Sequence, residues 1–187
     1  ISISRKKLDN EKSLISFIGA PWTLIVYMLG LKIKKNQIDK KKILKLEHEI
    51  EIILDEIDVY LCLHIEKQIE AGADVVQIFD SWAGLLSKED LPNFCYIPNL
   101  KIVEYCRSKK IPVICFPKGI KKNYIDFAAI VNPDCLSLDY DIDPTWAKNN
   151  LNKFCLQGGM DPKILFKDEN QIFKEVDKYL DVFKDHP

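Results

Sequence analysis

DVVQIFD, residues 74–80, is the stretch that decides the fold. Apolar side chains occupy both alternating faces of this segment, which is the pattern of a strand covered on both sides in a parallel sheet. Four more segments share its length and its apolar, β-branched character: LISFIG at 14–19, PVICF at 112–116, CLSLD at 135–139 and FCLQG at 154–158. The sequence therefore predicts five strands of one parallel sheet.

Helical patterns separate these strands. From Ile43 to Leu61, and again from Phe173 to Phe183, apolar residues recur every three or four positions, which predicts amphipathic helices. The lysine-rich run KKNQIDKKK at 34–42 predicts a solvated helix start or loop.

Capping residues mark several helix starts. Asp143 and Asp161 each stand directly before a proline, and we predict that they cap helices whose first residue is that proline. The segment SKED at 87–90 is a variant capping box, with aspartate in place of the usual glutamate.

The alternation of strands and helices indicates right-handed βαβ units, in an open doubly wound sheet or in a (β/α)8 TIM barrel. No GxGxxG or Walker segment follows a strand, so the main signal of a nucleotide-binding open sheet is missing. A barrel has eight strands in typically about 250 residues. About five βα units in 187 residues therefore predict part of a barrel, with N- and C-terminal units missing, and we expect residues 1–187 to form one such partial domain.

Composition narrows the classes of partner. The formal net charge is −1 and hydrophobic residues make up 47% of the chain, so the chain has the composition of a globular protein but no surplus positive charge for nucleic acid. No apolar run reaches the roughly 18 residues of a membrane span. We expect a soluble cytoplasmic protein that binds neither nucleic acid nor membrane.

The cysteine and histidine patterns indicate no metal site. The six cysteines form no CxxC pair, and no histidine stands near one at the spacing of zinc ligands. Several cysteines lie inside apolar runs, where a small buried thiol is the usual role, so we predict free thiols. His48 and His64 lie in the long helical region and are predicted to be surface or partly buried residues with no special role.

Candidate site residues follow the predicted strands, because the carboxyl ends of parallel strands share the edge where such sheets hold their sites. Tyr27 comes two helical turns after the first strand, Ser81 directly after the second, and Lys118 after the third. Each also fits a structural role: Tyr27 as a core aromatic, Ser81 as a turn or helix cap, and Lys118 as an ordinary surface residue. The pattern alone leaves these alternatives open.

Five segments, in this order, resemble the uroporphyrinogen decarboxylase family: FIGAPWTLIVYMLG (17–30), AGADVVQIFDSWAG (71–84), PVICFPKG (112–119), CLSLDYDIDP (135–144) and LQGGMDPKIL (156–165). The likeness extends over essentially all of residues 13–185. It implies a (β/α)8 barrel, usually a homodimer, with a deep cleft at the strand carboxyl ends. Such enzymes convert the four acetate side chains of uroporphyrinogen to methyl groups, giving coproporphyrinogen on the haem pathway, without metal or organic cofactor.

The resemblance also assigns residues. The family's substrate-binding tyrosine falls on Tyr27 and its substrate-binding serine or threonine on Ser81, where they would bind substrate carboxylates or orient the ring. The arginine motif RQAGRYLPEY, the aspartate that binds the pyrrole N–H groups and the histidine of LGHG are all absent from this sequence. No catalytic residue of the family therefore falls in this chain, and we expect residues 1–187 alone to have little or no decarboxylase activity.

Two alternatives remain from the sequence. Corrinoid-type methyltransferases share the barrel but bind zinc through a His-x-Cys at the third strand, where this chain has Val113 two positions before Cys115. The second alternative is a non-catalytic truncated or split-gene product. The start at Ile1 and the presence of only two arginines, Arg5 and Arg107, fit that alternative.

Overall fold

The computed structural model describes residues 1–34 and 37–186. Its strands are β1 (Ile15–Gly19), β2 (Lys32–Lys34), β3 (Gln37–Ile38), β4 (Val75–Asp80), β5 (Val113–Pro117), β6 (Cys135–Leu138) and β7 (Cys155–Gly158). Its α-helices are α1 (Ser2–Lys7), α2 (Pro21–Met28), α3 (Lys40–Lys45), α4 (Glu47–Glu70), α5 (Ile97–Ser108), α6 (Tyr124–Val131), α7 (Pro144–Asn150) and α8 (Glu169–Phe183). A π-helical turn, Pro92–Tyr96, leads into α5, and short 3₁₀ turns follow β4, β5 and β7.

Five strands form one parallel sheet in the order β1-β4-β5-β6-β7, and β2 pairs with β3 as a separate antiparallel hairpin. The strand order follows the chain without reversing. Right-handed crossovers that all run in one direction place the connecting helices on one face of the sheet, whereas a doubly wound sheet reverses its order and has helices on both. The five predicted strands are confirmed, each within one residue at either end.

One face of the sheet carries the hydrophobic core. The strand register aligns Ile18, Ile78, Cys115, Leu136 and Leu156 in a single row across the sheet. The first of these is 4% exposed and the next three are fully buried. Burial of apolar side chains of this size stabilises a fold by about 1.5–3 kcal/mol each, so this row is the main attachment of the helices to the sheet.

The opposite face is buried only in its middle. The neighbouring row runs Phe17, Gln77, Ile114, Cys135 and Cys155. The three central side chains are 8% exposed, but Phe17 is 68% exposed and Cys155 is also exposed. The expectation that every strand is covered on both faces is wrong for β1 and β7, because each is an edge strand with a neighbour on one side only.

The helical predictions are confirmed with one difference. The pattern that begins at Ile43 is divided at Leu46, which ends α3 and precedes α4. Helix α4 buries the apolar positions of the pattern, Ile50, Leu54, Ile57 and Leu61. Helix α8 is present as predicted, but none of its residues is buried.

Both predicted aspartate caps are confirmed. The Asp143 carboxylate accepts from the Trp146 N–H (2.7 Å) at the start of α7, and the Asp161 carboxylate accepts from the Lys163 N–H (3.0 Å). In the predicted capping box, the Ser87 hydroxyl accepts from the Asp90 N–H (3.3 Å) and donates to the Asp90 carboxylate (2.7 Å).

The prediction for the run 34–42 is correct only for its last part. Helix α3 begins at Lys40 after Asp39, whose carboxylate accepts from the Lys42 N–H (3.0 Å). Lys34 and the pair Gln37–Ile38 lie in strands instead, and positions 35 and 36 lie outside the described residues. The strand signal is weak there because lysine and glutamine have low β propensity.

All six cysteines are free thiols. Across the described ranges, each helix is too short or too polar to cross a membrane.

Candidate functional site

A cavity of about 720 Å³ lies at the carboxyl ends of β4, β5 and β6. Its polar lining comes from the loops after these strands and from β2, and comprises Lys32, Ser81, Lys118, Asp139, Tyr140 and Asp141. Small-molecule sites commonly have volumes of about 300–1,000 Å³. Both its size and its position at the carboxyl edge therefore fit a ligand site.

Tyr27 and Ser81, the two residues singled out by the sequence, are both neighbours of Trp82. Ser81 precedes Trp82 in the chain, and Tyr27 contacts its side chain. Ser81 follows β4 directly and lines the cavity. The Tyr27 ring meets the Trp82 indole edge-on, with ring centroids 5.8 Å apart, so Trp82 connects Tyr27 to the cavity that Trp82 itself lines. Tyr27 is 62% exposed, and the alternative that it is a core aromatic is wrong.

The fully buried Trp22 links α2 to the segment that follows β4. Its indole N–H donates to the Trp82 carbonyl at 3.3 Å, and its ring packs on Phe94 with centroids 5.3 Å apart. The chain enters α2 through Ala20, whose N–H donates to the Phe79 carbonyl (3.0 Å), and Pro21 is the first residue of the helix. A proline at this position has its φ already set for a helix, so the turn directs α2 over the end of β4.

Asp80, the last residue of β4, is a buried carboxyl group behind the cavity. It is 1% exposed and accepts hydrogen bonds from the Thr23 hydroxyl (2.9 Å) and the Asn99 amide (3.2 Å). Burial raises the pKa of Asp80 to about 6, although its hydrogen bonds act in the opposite direction. These bonds join α2 and α5 to the end of the strand that carries Ser81.

Two glycines bring the loops after β4 and β5 into backbone contact. A Cβ atom on Gly84 would lie 2.5 Å from the carbonyl carbon and oxygen of Gly119, closer than real Cβ atoms approach. Gly119 itself has a φ of +83°, a conformation that favours glycine. The Gly84 N–H also donates to the Lys118 carbonyl (2.8 Å), and the Lys118 N–H donates to the Asp80 carbonyl (3.1 Å).

Asp139 anchors the third loop of the cavity. This residue follows β6, is 5% exposed, and accepts a hydrogen bond from the Gly119 N–H. The Tyr124 hydroxyl lies 3.4 Å from it and donates to the Ser137 carbonyl (3.0 Å). Burial raises the pKa of Asp139, while the Gly119 hydrogen bond and the Lys118 ammonium partly offset that rise.

Both arginines lie at the other end of the sheet. Arg5 pairs with Asp74, just before β4, at 2.8 Å, and Arg107 donates to the carbonyl of Asn132, before β6, at 2.8 Å. In residues 1–34 and 37–186, the cationic side chains that line the cavity are therefore lysines, Lys32 and Lys118.

Sequence reasoning missed Lys32 and gave Asp80 no role of its own. Lys32 lies on a hairpin that was not predicted. Asp80 did carry a signal, because a carboxylate that ends an otherwise apolar strand must be paired or neutral when buried. His48 and His64 are exposed on α4 as predicted, with His64 beside Gln68 (2.9 Å between their Nε2 atoms). Over the described ranges, no cluster of three or more histidine, cysteine or acidic side chains could hold a metal ion.

These features define a class of protein: an α/β chain with a parallel sheet wound in one direction and a small-molecule cleft at the strand carboxyl ends. The family model described as uroporphyrinogen decarboxylase (URO-D) matches residues 1–187, and the chain belongs to this family. This match displaces the zinc methyltransferase alternative, and the Cys115 on which that alternative depends is fully buried in the core row.

The relatives include three bacterial proteins named uroporphyrinogen decarboxylase. The protein of Orientia tsutsugamushi (strain Ikeda) is 38% identical over 181 residues, covering 94% of this chain and 52% of the relative. That of Wolbachia sp. subsp. Brugia malayi (strain TRS) is 38% identical over 186 residues, covering 98% and 52%. That of Cereibacter sphaeroides (strain ATCC 17025 / ATH 2.4.3) is 32% identical over 190 residues, covering 99% and 55%. The chain thus spans about half the length of the curated relatives it matches.

Proposed function

We propose that this chain forms the tetrapyrrole-binding wall of a uroporphyrinogen decarboxylase, which converts uroporphyrinogen to coproporphyrinogen in haem biosynthesis. The observation that carries the proposal is the family match over residues 1–187 together with the cleft it explains. Ser81 and Trp82 line that cleft, and the Tyr27 ring packs against the Trp82 ring beside it. Aromatic faces suit a macrocycle and hydroxyl groups suit its carboxylates.

The fold proposal is that the five-stranded sheet belongs to a (β/α)8 barrel, with residues 1–187 as a single partial barrel domain. Its support is the strand order, which never reverses, and the edge strands β1 and β7, whose exposed side chains would face the interior of a closed barrel. The greater length of the relatives agrees with further strands.

Tyr27 and Ser81 are the proposed substrate-binding residues. Each hydroxyl can donate one hydrogen bond to a carboxylate while its oxygen accepts another. A bond from a neutral hydroxyl to a charged carboxylate contributes about 1.5–3 kcal/mol. With Tyr27 packed against the Trp82 ring and Ser81 preceding Trp82 in the chain, they would fix one acetate-bearing pyrrole in the cleft.

The proposed reaction protonates a pyrrole ring carbon and then breaks the bond to the carboxylate, so that carbon dioxide leaves and the bonding electron pair passes into the cationic ring. The exocyclic carbon then takes up a proton and the ring proton returns to solvent, so that each acetate becomes a methyl group with one net proton consumed. Preorganised negative charge beside the ring would be the largest protein contribution to such a step. The resemblance assigns that charge to a motif absent from this sequence. We therefore expect residues 1–187 alone to bind the tetrapyrrole but to turn over little or none of it. Cytoplasmic location, homodimer formation and independence of cofactors complete the proposal.

The test combines binding with turnover. Uroporphyrin, the stable oxidised form of the substrate, is titrated into the purified chain while porphyrin fluorescence anisotropy is followed, and coproporphyrinogen formation from uroporphyrinogen is measured separately. Y27F and S81A should each weaken binding by roughly ten- to a hundredfold. The matched control is Y60F, since Tyr60 is equally exposed on α4 but away from the cleft.

The outcomes separate the parts of the proposal. Absence of uroporphyrin binding by the unmodified chain would overturn the proposed function. Turnover at the rate of a full-length relative would overturn the expected inactivity alone. Equal losses of affinity in Y60F and Y27F would remove Tyr27 from the site.

A further inference from the structure

The charges that line the cleft come from three segments of the chain. Lys32 enters from the β2–β3 hairpin, whereas Asp139 and Asp141 belong to the loop after β6. Lys118 lies on the loop after β5, the strand beside β6 in the sheet. A ligand with several carboxylates would be attracted to the lysines and repelled by the exposed Asp141.

Lys32 is held in place without being neutralised. Its ammonium group lies 4.4 Å from the centre of the Trp82 ring, and a cation over an indole face is stabilised by the ring quadrupole while it keeps its charge. Two contacts position Trp82 in turn. The centroid of the Tyr27 ring lies 5.8 Å from that of the Trp82 ring, and the Trp22 indole N–H donates to the Trp82 carbonyl. Among the described residues, Lys32 takes part in no ion pair.

Lys118 is fixed through its backbone. Its N–H donates to the Asp80 carbonyl and its carbonyl accepts from the Gly84 N–H, while its side chain is exposed at the cavity wall. Asp139 nearby is already engaged by the Gly119 N–H. In the described part of the chain, the ion pairs that use lysine involve Lys67, Lys101, Lys109 and Lys178 instead.

We propose that Lys32 and Lys118 form a carboxylate-binding site that holds the acidic side chains of a tetrapyrrole in the cleft. This inference rests on the proposed function, because it names the groups that would neutralise the proposed ligand. Both arginines are engaged at the opposite end of the sheet, so bidentate arginine capture is replaced by two point charges. A ligand with more carboxylates gains more from this pair, so the site favours uroporphyrin, with eight carboxylates, over coproporphyrin, with four.

The experiment titrates uroporphyrin and coproporphyrin separately into the purified chain at low and high salt. K32Q and K118Q should each weaken uroporphyrin binding about tenfold, as expected for loss of a charged hydrogen bond, and coproporphyrin binding less. The unmodified chain should lose affinity steeply with salt, and K32Q less steeply. K32R, which keeps the charge, should restore most of the affinity.

The matched control is K34Q. Lys34 lies on the same hairpin strand and is also exposed, but it does not line the cavity. Its replacement should change uroporphyrin affinity less than twofold, and circular dichroism melting curves should show that all variants are folded.

Each outcome decides one statement. If the unmodified chain binds neither porphyrin, the proposed function fails and this inference fails with it. If it binds uroporphyrin but K32Q and K118Q bind equally well, the lysine site is wrong and the proposed function stands. If K34Q loses as much affinity as K32Q, uroporphyrin is attracted by the surface charge in general, and the proposed site at Lys32 and Lys118 is again wrong.

Discussion

Strands β4 and β7 both end in a loop that contains glycine, yet they are packed very differently. Strand β4 is paired on both sides and buries four of its six residues, including its terminal Asp80. Strand β7 is an edge strand with no buried residue, and the α8 helix that follows has none either. The two strands thus represent the firmly packed and the loosely packed side of one sheet.

The difference shows where this fold can hold side chains at fixed positions. The end of β4 is joined to α2 through Thr23, to α5 through Asn99 and to the loop after β5 through Gly84. The end of β7 has one comparable link, from the Tyr179 hydroxyl on α8 to the Gly159 carbonyl. A site that requires fixed geometry is therefore expected beside β4, where Ser81 and Trp82 lie, and not beside β7.

The largest effect should come from the buried carboxyl group of β4. Because burial raises the pKa of Asp80 to about 6 from 3.8, the folded state binds a proton more readily than the unfolded state. The contribution of Asp80 to the free energy of unfolding is therefore greatest below about pH 4 and is lost as the pH rises through about 6. At about 1.4 kcal/mol per pKa unit, the total loss is roughly 3 kcal/mol.

D80N isolates this contribution, since an amide does not ionise. Urea unfolding of both proteins between pH 4 and pH 7 should show that the difference in their free energies of unfolding changes by roughly that amount in favour of D80N. A difference that stays constant across this range would contradict the assignment. Asp58 and Asp139, whose pKa values burial also raises, are present in both proteins and cancel.

A smaller effect is expected where the loops after β4 and β5 touch. G84A would place a methyl group 2.5 Å from the backbone of Gly119, and overpacking of this kind costs about 1–3 kcal/mol. Displacement of Lys118 from Ser81 should also weaken uroporphyrin binding. The measurements are urea unfolding and the fluorescence titration.

The control for this change is G19A. Gly19 ends β1, and its Cβ would lie 3.1 Å from a methyl carbon of Leu24, a flexible side chain that can move. It should lose clearly less stability than G84A. Equal losses in the two variants would mean that the contact between the loops is not tight.

The smallest effect is expected at β7. Y179F removes the hydrogen bond from α8 to the Gly159 carbonyl and should lower the free energy of unfolding by about 1 kcal/mol. Uroporphyrin affinity should not change, because this link lies outside the cavity. A loss of affinity in Y179F would contradict the statement that the ligand site depends on the packing beside β4 and not on that beside β7.

Most of the sheet could be predicted from the sequence, because buried parallel strands are short apolar runs and their spacing requires crossover helices. The pairing of β2 with β3 could not, since two lysines and a glutamine among their five residues give no strand pattern. The exposure of Phe17 could not be predicted either. An apolar residue in a strand indicates burial, but whether a neighbouring strand covers it depends on the rest of the assembly.

The site was predictable in part. Tyr27 and Ser81 follow from their positions after strands and from the family motifs, and Lys118 follows from its position alone. Ser81 and Lys118 line one cleft, and Tyr27 packs against Trp82 beside it. Lys32 could not be found in this way, because its approach to Trp82 depends on the path of a hairpin. The buried partners of Asp80 are also long-range contacts, with Thr23 57 positions away in sequence.

The contact between Gly84 and Gly119 has a consequence for the energetics of association. Two loops joined backbone to backbone lose their conformational entropy when the chain folds, so a ligand does not have to order them again when it binds. Ser81 and Lys118 would then meet a ligand at a spacing already set, beside Lys32, which Trp82 holds in place. Affinity at this cleft would therefore be reduced little by the cost of ordering the protein.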